Sequence, residues 1–247
     1  METGLAGRRA AVAAASQGLG FASARALAAE EARVAICGRS KERIQKATAR
    51  IGGGAVTIVA DVSSPDGARQ FVDEAGDALG GLDVLVTNAG GPPPGTFETT
   101  PLEAYSAALA LNLLSVVAMC QEAVPGMRAQ RFGRVVAITS ISVRQPIANL
   151  ILSNTARTGA TGFLKTLARE VAGDGVTVNS VQPGSHATER ILELYGDAAK
   201  AAEGVPAGEL GRPEDFGAVV AFLCSDSARF ITGAAIPIDG GAYAALL

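Results

Sequence analysis

Short runs of apolar and β-branched residues alternate with longer, alanine-rich stretches along the whole chain. Most of these runs are nearly continuous rather than interrupted at every second position, which is typical of parallel strands covered on both faces. The predicted strands are Arg9–Ala13, Arg33–Cys37, Val56–Val59, Val84–Thr87, Arg134–Thr139, Val176–Val181 and Ala235–Ile238.

The stretches between these runs have the length and composition of helices. The predicted helices are Leu19–Glu30, Lys41–Ile51, Pro65–Leu79, Leu102–Arg128, Leu152–Val171 and Pro213–Cys224. Ser64 and Arg212 each precede a proline, which is favoured at the first helical position. The alternation over residues 1–247 predicts the α/β class, as a single domain with a doubly wound parallel sheet and helices on both faces.

Two segments break the pattern and show no periodicity. They are Gly90–Gly95, which reads Gly-Gly-Pro-Pro-Pro-Gly, and Gly196–Gly211. Both follow strands on the side of a parallel sheet where ligands bind. We therefore expect a lid at each of them, the second extending over about 188–211.

Composition narrows the classes of function. The chain has 247 residues, 48% of them apolar, so it can bury one large core. Its 21 Lys and Arg residues against 24 Asp and Glu give a net charge of −3, and no basic run is present, so we expect no nucleic-acid partner. Trp is absent and aromatic residues make up 4%, which argues against stacking platforms for bases or sugars.

The cysteines and the longest apolar stretch bear on the compartment. Cys37, Cys120 and Cys224 are too widely spaced for a disulfide framework or a metal site, and they suit a reducing environment. The longest apolar stretch, Ala107–Cys120, is shorter than the ~20 residues that a bilayer span needs. The start of the chain lacks an apolar signal core. We expect a cytoplasmic protein with no membrane partner and no metal.

The segment between the first strand and the first helix runs Ala14-Ala-Ser-Gln-Gly18-Leu-Gly20. A strand, a glycine-bearing turn and a helix together offer backbone N–H groups and a helix N-terminus to a pyrophosphate. Gly18 and Gly20 permit close approach, whereas Ala14 adds a Cβ near the phosphates. An ordinary strand–helix loop is the plainer interpretation of this stretch alone.

Further marks follow along the chain, and together they are specific. They are Asp61-Val62 after the third strand, Asn88-Ala89-Gly90 after the fourth, Asn112 in the long helix, Thr139-Ser140 ending the fifth strand, Pro183-Gly184 with Thr188 after the sixth, and Ile238–Gly241. With the turn, they resemble the short-chain dehydrogenase/reductases over essentially the full length. The nearest resemblance is to members labelled 3-oxoacyl-carrier-protein reductase-like. It implies a Rossmann fold, a nicotinamide cofactor and a small-molecule substrate.

The resemblance also implies roles for individual residues. The pyrophosphate would be held by Ser16, Gln17, Gly18, Leu19 and Gly20, the adenine by Asp61 and Val62, the adenosine ribose by Asn88, Ala89 and Gly90, and the nicotinamide by Pro183, Gly184 and Thr188. Asn88 also has a plainer interpretation as a structural cap on its strand.

The end of the second predicted strand bears on the choice of cofactor. Proteins that bind NAD(H) in this way place a carboxylate there, to accept a hydrogen bond from the ribose 2′-OH. Here Gly38 takes that place and Arg39 follows, with a planar fork of donors that suits a 2′-phosphate. We expect NADP(H) rather than NAD(H), although Arg39 would also fit a role as a solvated loop residue.

The family pattern breaks at the catalytic position. The family's reaction uses a tyrosine and, four residues later, a lysine on the helix after the fifth strand. Counting 13 residues on from Ser140 leads to Ser153, and Arg157 stands in place of the lysine. The expected catalytic residues are therefore Ser140, Asn112, Ser153 and Arg157, of which Arg157 can also bind the cofactor ribose.

These replacements change the available proton chemistry. A serine hydroxyl is a far weaker acid than a phenol with its pKa near 10, and Arg157 stays protonated. The family's proton route is compromised, whereas cofactor binding is not. Other candidates have plainer interpretations: Tyr105 in packing, Tyr195 in the lid, Tyr243 in a subunit contact, and His186 as a loop residue bonded to backbone rather than an acid–base group.

Three functions remain open. The first is an NADP(H)-dependent oxidoreductase for a carbonyl or alcohol, with the proton handled by His186 or by water that Asn112 and Ser153 hold. The second is an enzyme that keeps the cofactor pocket but performs non-redox chemistry, and the third is a non-catalytic cofactor-binding or assembly protein. The resemblance also implies a homotetramer or homodimer, paired through Leu102–Arg128 and Leu152–Val171, whose weakly charged faces suit burial.

Overall fold

Seven strands form one sheet in the computed structural model, which describes residues 2–246. The strands are β1 (Arg9–Val12), β2 (Arg33–Gly38), β3 (Val56–Val59), β4 (Val84–Thr87), β5 (Gly133–Ile138), β6 (Val176–Pro183) and β7 (Ala235–Ile238). They pair in parallel in the spatial order β3-β2-β1-β4-β5-β6-β7. The connection changes direction between β1 and β4, which is where ligands bind in doubly wound sheets. The predicted fold class is confirmed.

Helices connect the strands close to the predicted bounds. They are α1 (Gly18–Ala29), α2 (Lys41–Ile51), α3 (Pro65–Leu79), α4 (Glu103–Leu109), α5 (Ser115–Ala129), α6 (Ile151–Val171), α7 (Glu189–Tyr195), α8 (Ala198–Ala202) and α9 (Pro213–Cys224). The predicted helix Leu102–Arg128 differs, because a π-helical turn at Ala110–Leu114 separates α4 from α5. Such turns occur most often at functional sites.

Helices cover both faces of the sheet. On one face α3, α5 and α6 enclose a core that includes the fully buried Phe71 and Met119. On the other, α1, α2 and α9 enclose a core around Leu27 and Phe216. Gly217 lets α9 approach α1 closely, because any Cβ there would collide with a backbone carbonyl of α1. This two-sided burial is the physical reason for the nearly continuous apolar strands.

Side-chain caps fix the starts of two helices. Ser40 Oγ accepts a hydrogen bond from Arg43 N at 3.3 Å before α2, and Ser64 Oγ accepts one from Gly67 N at 3.2 Å before α3. Pro65 occupies the first helical position of α3, as predicted. Each cap satisfies a backbone N–H that would otherwise lack a partner.

The predicted lid at Gly196–Gly211 is not irregular throughout. It contains the short helix α8, which starts where Asp197 Oδ1 accepts a hydrogen bond from Lys200 N at 2.8 Å. The expectation of an irregular segment was wrong there, because an aspartate cap followed by alanines is sufficient for one helical turn. The other predicted lid is tied down at Gly95, whose N–H donates to the carbonyl of Asn149 at 2.8 Å.

One helical segment, Glu103–Ala129, is long and apolar enough to cross a membrane by length and composition alone. Half of its most apolar window is buried inside the protein, against α3 and α6. That is the arrangement of a core helix.

Candidate active site

The turn between β1 and α1 is shaped by two glycines and by a strained alanine. Gly18 has a φ of 61° and Ala14 a φ of 47°, both in the left-handed region. A Cβ at Gly20 would lie 2.7 Å from Asn88 Nδ2 and 2.8 Å from the carbonyl oxygen of Ala14. Asn88 Nδ2 donates to the carbonyls of Ala13 at 3.3 Å and Ala14 at 3.1 Å. Asn88 therefore ties β4 to the turn, and only glycine fits beneath it.

α1 begins without a side-chain cap, unlike α2 and α3. Gln17 precedes it, and its side chain accepts no hydrogen bond from the first turn. Uncapped N–H groups at a helix N-terminus are ready donors to a phosphate. A Cβ at Gly18 would lie 3.8 Å from Thr188 Cγ2, so Thr188 faces this turn from the lid side. With the half-buried Ser16 and Leu19, the turn fits a dinucleotide pyrophosphate.

The predicted adenosine residues lie at the carboxyl ends of the neighbouring strands β2 and β3. Arg39 is exposed, and its guanidinium has no hydrogen bond or ion pair within residues 2–246. Asp61 is also exposed, and its Oδ1 accepts a hydrogen bond at 3.0 Å from the backbone two residues on. Val62 and Gly38 are buried behind them. The Arg39 donors are thus available to a ligand.

The predicted nicotinamide segment follows β6 and turns tightly against β7. Gly184 N donates to the carbonyl of Ile238 at 2.9 Å. A Cβ at Gly184 would lie 2.8 Å from Asp239 Cβ, so the approach requires glycine. Pro183 and Gly184 thereby direct the chain towards Thr188.

Asn112 lies in the π-helical turn and reaches the end of β4. Its Nδ2 donates to the carbonyl of Gly90 at 3.0 Å, beside the half-buried Ala89. The side chain is 3% exposed, and its Oδ1 has no partner among the described residues. An unpaired buried acceptor costs about 1–3 kcal/mol, so Asn112 Oδ1 marks a place where water or a ligand donates.

Ser140 follows β5 and starts the short 3₁₀ turn Ile141–Val143. Its Oγ accepts a hydrogen bond from Ser142 N at 3.1 Å, which leaves the hydroxyl proton free to be donated to a ligand. Sequence analysis does not single out Ser142, whose buried Oγ has no partner in the described part of the chain. The feature of the sequence that could have identified Ser142 is its position two residues after Ser140 in the same polar turn.

Arg157 is a buried cation on α6, 9% exposed. Its Nη1 donates to the carbonyls of Ile138 and Thr139, both at 3.1 Å, so the guanidinium lies at the end of β5 beside Ser140. Within residues 2–246 no carboxylate forms an ion pair with it. Burial first, and then the charge of Arg190, lowers the pKa of Arg157 to about 10, so it remains charged at neutral pH.

Ser153 lies one turn before Arg157 on the same side of α6. It is 7% exposed, and its hydroxyl makes no hydrogen bond with another described residue. α6 packs closely on the π-helical turn, since a Cβ at Gly159 would lie 3.2 Å from Leu113 Cδ2. The four predicted catalytic residues thus lie around the carboxyl ends of β4 and β5.

Comparison with known proteins identifies the family. A family model described as enoyl-(acyl carrier protein) reductase matches residues 13–243. The 3-oxoacyl-acyl-carrier-protein reductase FabG of Vibrio cholerae is 33% identical over 240 residues, which are 97% of this chain and 98% of that protein. Human dehydrogenase/reductase SDR family member 4 is 32% identical over 244 residues, 96% of this chain and 88% of that protein. The chain belongs to the short-chain dehydrogenase/reductase family.

Solved structures of reductases share this fold over nearly the whole chain. One is L-sorbose reductase from Gluconobacter frateurii in complex with NADPH and L-sorbose, with a TM-score of 0.94, 29% identity and full coverage of both chains. Another is YwfH, described as an NADPH-dependent reductase involved in bacilysin biosynthesis, with a TM-score of 0.93 and 26% identity over 98% of this chain and 100% of that one.

Arg190 lies next to the predicted site of this short-chain dehydrogenase/reductase, although the sequence does not single it out. It lies on α7, and its Nη2 donates to the carbonyl of Pro92 at 3.2 Å. Its Nη1 lies 3.5 Å from the exposed carboxylate of Glu193. Arg190 thereby joins the lid to the loop after β4. The feature of the sequence that could have identified Arg190 is a positive charge two residues after Thr188, inside the predicted lid.

His186 is enclosed rather than directed to a ligand. It is 3% exposed, and its Nδ1 lies 3.2 Å from the carbonyl oxygen of Gly184. The ring packs edge-on against Phe216, with centroids 5.2 Å apart, and Gly211 lies on it from the lid. Burial lowers the pKa of His186, which is therefore neutral at pH 7. This geometry agrees with a loop histidine bonded to backbone.

The three tyrosines lie on α4, at the end of α7 and after β7. Tyr195 ends α7 and is 42% exposed, and Tyr105 lies half-buried on α4. Tyr243 follows β7, with the guanidinium of Arg144 5.3 Å from its ring centroid. The hydrogen-bond partner of Ser140 Oγ is a backbone N–H, not a phenol.

Proposed function

We propose that this chain is an NADP(H)-dependent oxidoreductase that interconverts a carbonyl and an alcohol by an atypical proton route. Membership of an oxidoreductase family provides the general class. The observation that supports the proposal most directly is the uncapped turn before α1. Its crowded Gly20 and its free N–H groups suit a dinucleotide pyrophosphate.

The cofactor is NADP(H). Two reductases of the same fold are described as an NADPH complex and as NADPH-dependent. In this chain the exposed, unpaired Arg39 stands where NAD(H) binders place a carboxylate, and it would hold the 2′-phosphate. Asp61 would hold the adenine, and Thr188, with Pro183 and Gly184, would hold the nicotinamide.

When bound, the nicotinamide supplies or accepts the hydride at C4. Ser140 donates its hydroxyl proton as a hydrogen bond to the substrate oxygen, because the contact with Ser142 N uses a lone pair of Oγ and leaves the proton unused. Arg157, held by two backbone carbonyls, supplies fixed positive charge that stabilises the developing alkoxide. A water between Asn112 Oδ1 and the Ser153 hydroxyl would deliver the proton.

The reaction we propose is slow rather than absent. A well-placed general acid contributes roughly 10²–10⁴-fold, and neither Ser153 nor Arg157 replaces a phenol in that role. The alternative is a cofactor-binding homologue with non-redox or no catalytic activity. What favours this alternative is the hydroxyl of Ser140, which lacks a phenol as its partner.

We propose that the protein is cytoplasmic and forms a homotetramer or homodimer. We propose no nucleic-acid or membrane partner. Pairing through the segment α4–α5 and through α6 would cover Leu114, which is 46% exposed on the π-helical turn. Sedimentation at micromolar concentration checks this, and a stable monomer would contradict it.

The deciding measurement is NADPH oxidation by the purified protein with small ketones, quinones, β-ketoacyl thioesters and an enoyl thioester. Turnover of at least one carbonyl compound is expected, with NADPH bound more tightly than NADH in a parallel titration. Binding without turnover of any of them would support the non-redox alternative, and tighter binding of NADH would overturn the assignment of the cofactor.

A further inference from the structure

Two arginines at the carboxyl end of the sheet, the buried Arg157 and Arg190 with its 42% exposed side chain, have no short ion pair with a buried carboxylate among residues 2–246. Arg157 is buried against backbone carbonyls and has no carboxylate partner among residues 2–246. Arg190 has a single long ion pair at 3.5 Å, to a Glu193 carboxylate that is 65% exposed. Exposed pairs of this kind contribute little. Burial is the main cause of the lowered pKa of Arg157, and the nearby charge of Arg190 lowers that pKa further.

Arg190 connects α7, in the predicted lid, to the loop after β4. Its Nη2 binds the carbonyl of Pro92, and it would lie 3.3 Å from a Cβ at Gly91. The carbonyl of the preceding residue, Gly90, accepts the hydrogen bond from Asn112. Arg190 and Asn112 therefore contact neighbouring residues of the same loop.

We propose that Arg190 is a specificity-determining residue that binds an anionic group, such as a carboxylate, on the carbonyl substrate. The proposal rests on the proposed function, whose substrate class it names. A guanidinium has five donors, and the two contacts of Arg190 leave others for a bidentate pair with a carboxylate. A negative group there also offsets the positive charge of Arg157.

Other groups in the protein are better placed for the charges of the cofactor. The uncapped N-terminus of α1, facing Thr188 across Gly18, suits the pyrophosphate. Arg39, at the end of β2, suits the 2′-phosphate. Arg190 differs from both, because it contacts the loop whose Gly90 carbonyl accepts the hydrogen bond from Asn112, and this favours the substrate as its ligand.

The test compares oxo acids with their methyl esters in NADPH oxidation. Pyruvate, acetoacetate and levulinate, each with its ester, are assayed with the wild type, Arg190→Gln, and Lys200→Gln as a control that removes a charge from the same lid. We expect Arg190→Gln to lower kcat/KM for the preferred acid roughly 10- to 100-fold more than for its ester, without loss of NADPH affinity. Lys200→Gln should change neither substrate. An equal loss for acid and ester, or a loss of NADPH affinity, would overturn the proposal.

A binding measurement separates this proposal from the proposed function. The Tm of the NADP⁺-saturated protein is recorded with each acid and each ester. An increase in Tm with an acid but not with its ester, present in the wild type and absent in Arg190→Gln, supports the anion site even where no turnover is seen. No difference between any acid and its ester in the wild type would contradict it.

Discussion

The arginines at the two ends of the sheet differ in their ion-pair partners. At the amino end, Arg9 is paired with the buried Asp83 through Nε and Nη2, both at 2.8 Å, and Arg134 has Asp226 within 3.7 Å. At the carboxyl end, the buried Arg157 donates to two carbonyls and forms no ion pair with a carboxylate among the described residues. Arg9 and Arg134 at the amino end each have a carboxylate nearby, although Arg134 Nε is buried without a hydrogen-bond partner, whereas Arg157 has no carboxylate partner within residues 2–246.

This difference separates structure from function. A buried charge paired within the protein stabilises the fold, and its partner is present at all times. An unpaired charge costs stability unless a ligand supplies the partner, and such sites concentrate where ligands bind. Asn112 Oδ1 and Ser142 Oγ lie at the same end and are likewise buried without partners in the described chain.

The largest expected effect comes from giving the carboxyl end the family's own chemistry. The double change Ser153→Tyr with Arg157→Lys places a phenol and an amine one turn apart on α6. We expect reductase turnover to increase roughly 10²–10⁴-fold on the substrate that the wild type prefers, because a general acid is restored. Steady-state NADPH oxidation measures it. Unchanged turnover in a folded double variant would show that the pocket has diverged beyond these two positions.

The second prediction compares the loss of the Arg9–Asp83 ion pair with the loss of Arg157. Asp83→Asn should lower the free energy of unfolding by roughly 2–3 kcal/mol, less than for a fully buried pair because the Arg9 side chain is 23% exposed. Arg157→Met should change it by less than about 1 kcal/mol, since relief of the buried charge offsets two lost hydrogen bonds. NADPH oxidation should decrease in Arg157→Met and should be retained in folded Asp83→Asn.

Urea unfolding and NADPH oxidation of both variants check this pair. A large loss of stability in Arg157→Met, with activity retained, would mean that Arg157 serves the fold and that the comparison between the two ends does not hold.

The fold could be predicted because its signals are local. The apolar runs of β3, β4 and β7 and the prolines of α3 and α9 determine elements with little help from distant residues, and their bounds agree with the prediction. The π-helical turn and α8 were missed. Backbone hydrogen bonds shifted by one residue leave no mark in an apolar pattern, and one capped turn is shorter than a periodicity can reveal.

The site could be predicted only as far as backbone geometry determines it. Gly20 stands out in the sequence, and its crowding by Asn88 explains why it is glycine. The contact from Arg190 to Pro92 joins residues 98 positions apart, which no local pattern encodes. Likewise, the absence of a carboxylate beside Arg157 is a property of the assembled neighbourhood.

The third prediction concerns the backbone-built part of the carboxyl end. Gly20→Ala should lower NADPH affinity at least tenfold or so and the free energy of unfolding by about 1–3 kcal/mol, because the new Cβ meets Asn88 Nδ2 and the Ala14 carbonyl. Gly76→Ala is the matched control on α3, where a Cβ meets nothing within 4 Å, and it should stabilise by about 0.5 kcal/mol. Fluorescence titration and urea unfolding measure both. Similar behaviour of the two variants would contradict the role of Gly20.

The smallest expected effect is at Ala14, which has a positive φ and lies in the proposed phosphate-binding turn. A φ of 47° costs an alanine about 1–2 kcal/mol, whereas glycine adopts it freely but loses about 0.5–1 kcal/mol more backbone entropy on folding. Ala14→Gly should therefore stabilise by less than about 1 kcal/mol, and removal of the Cβ beside the phosphates should leave NADPH affinity equal or slightly higher. Ala15→Gly, at a buried neighbour without a positive φ, should destabilise. If Ala14→Gly lowered the free energy of unfolding as much as Ala15→Gly, the proposed strain at Ala14 would be refuted. The turn before α1 would then carry no cost in stability from its backbone conformation.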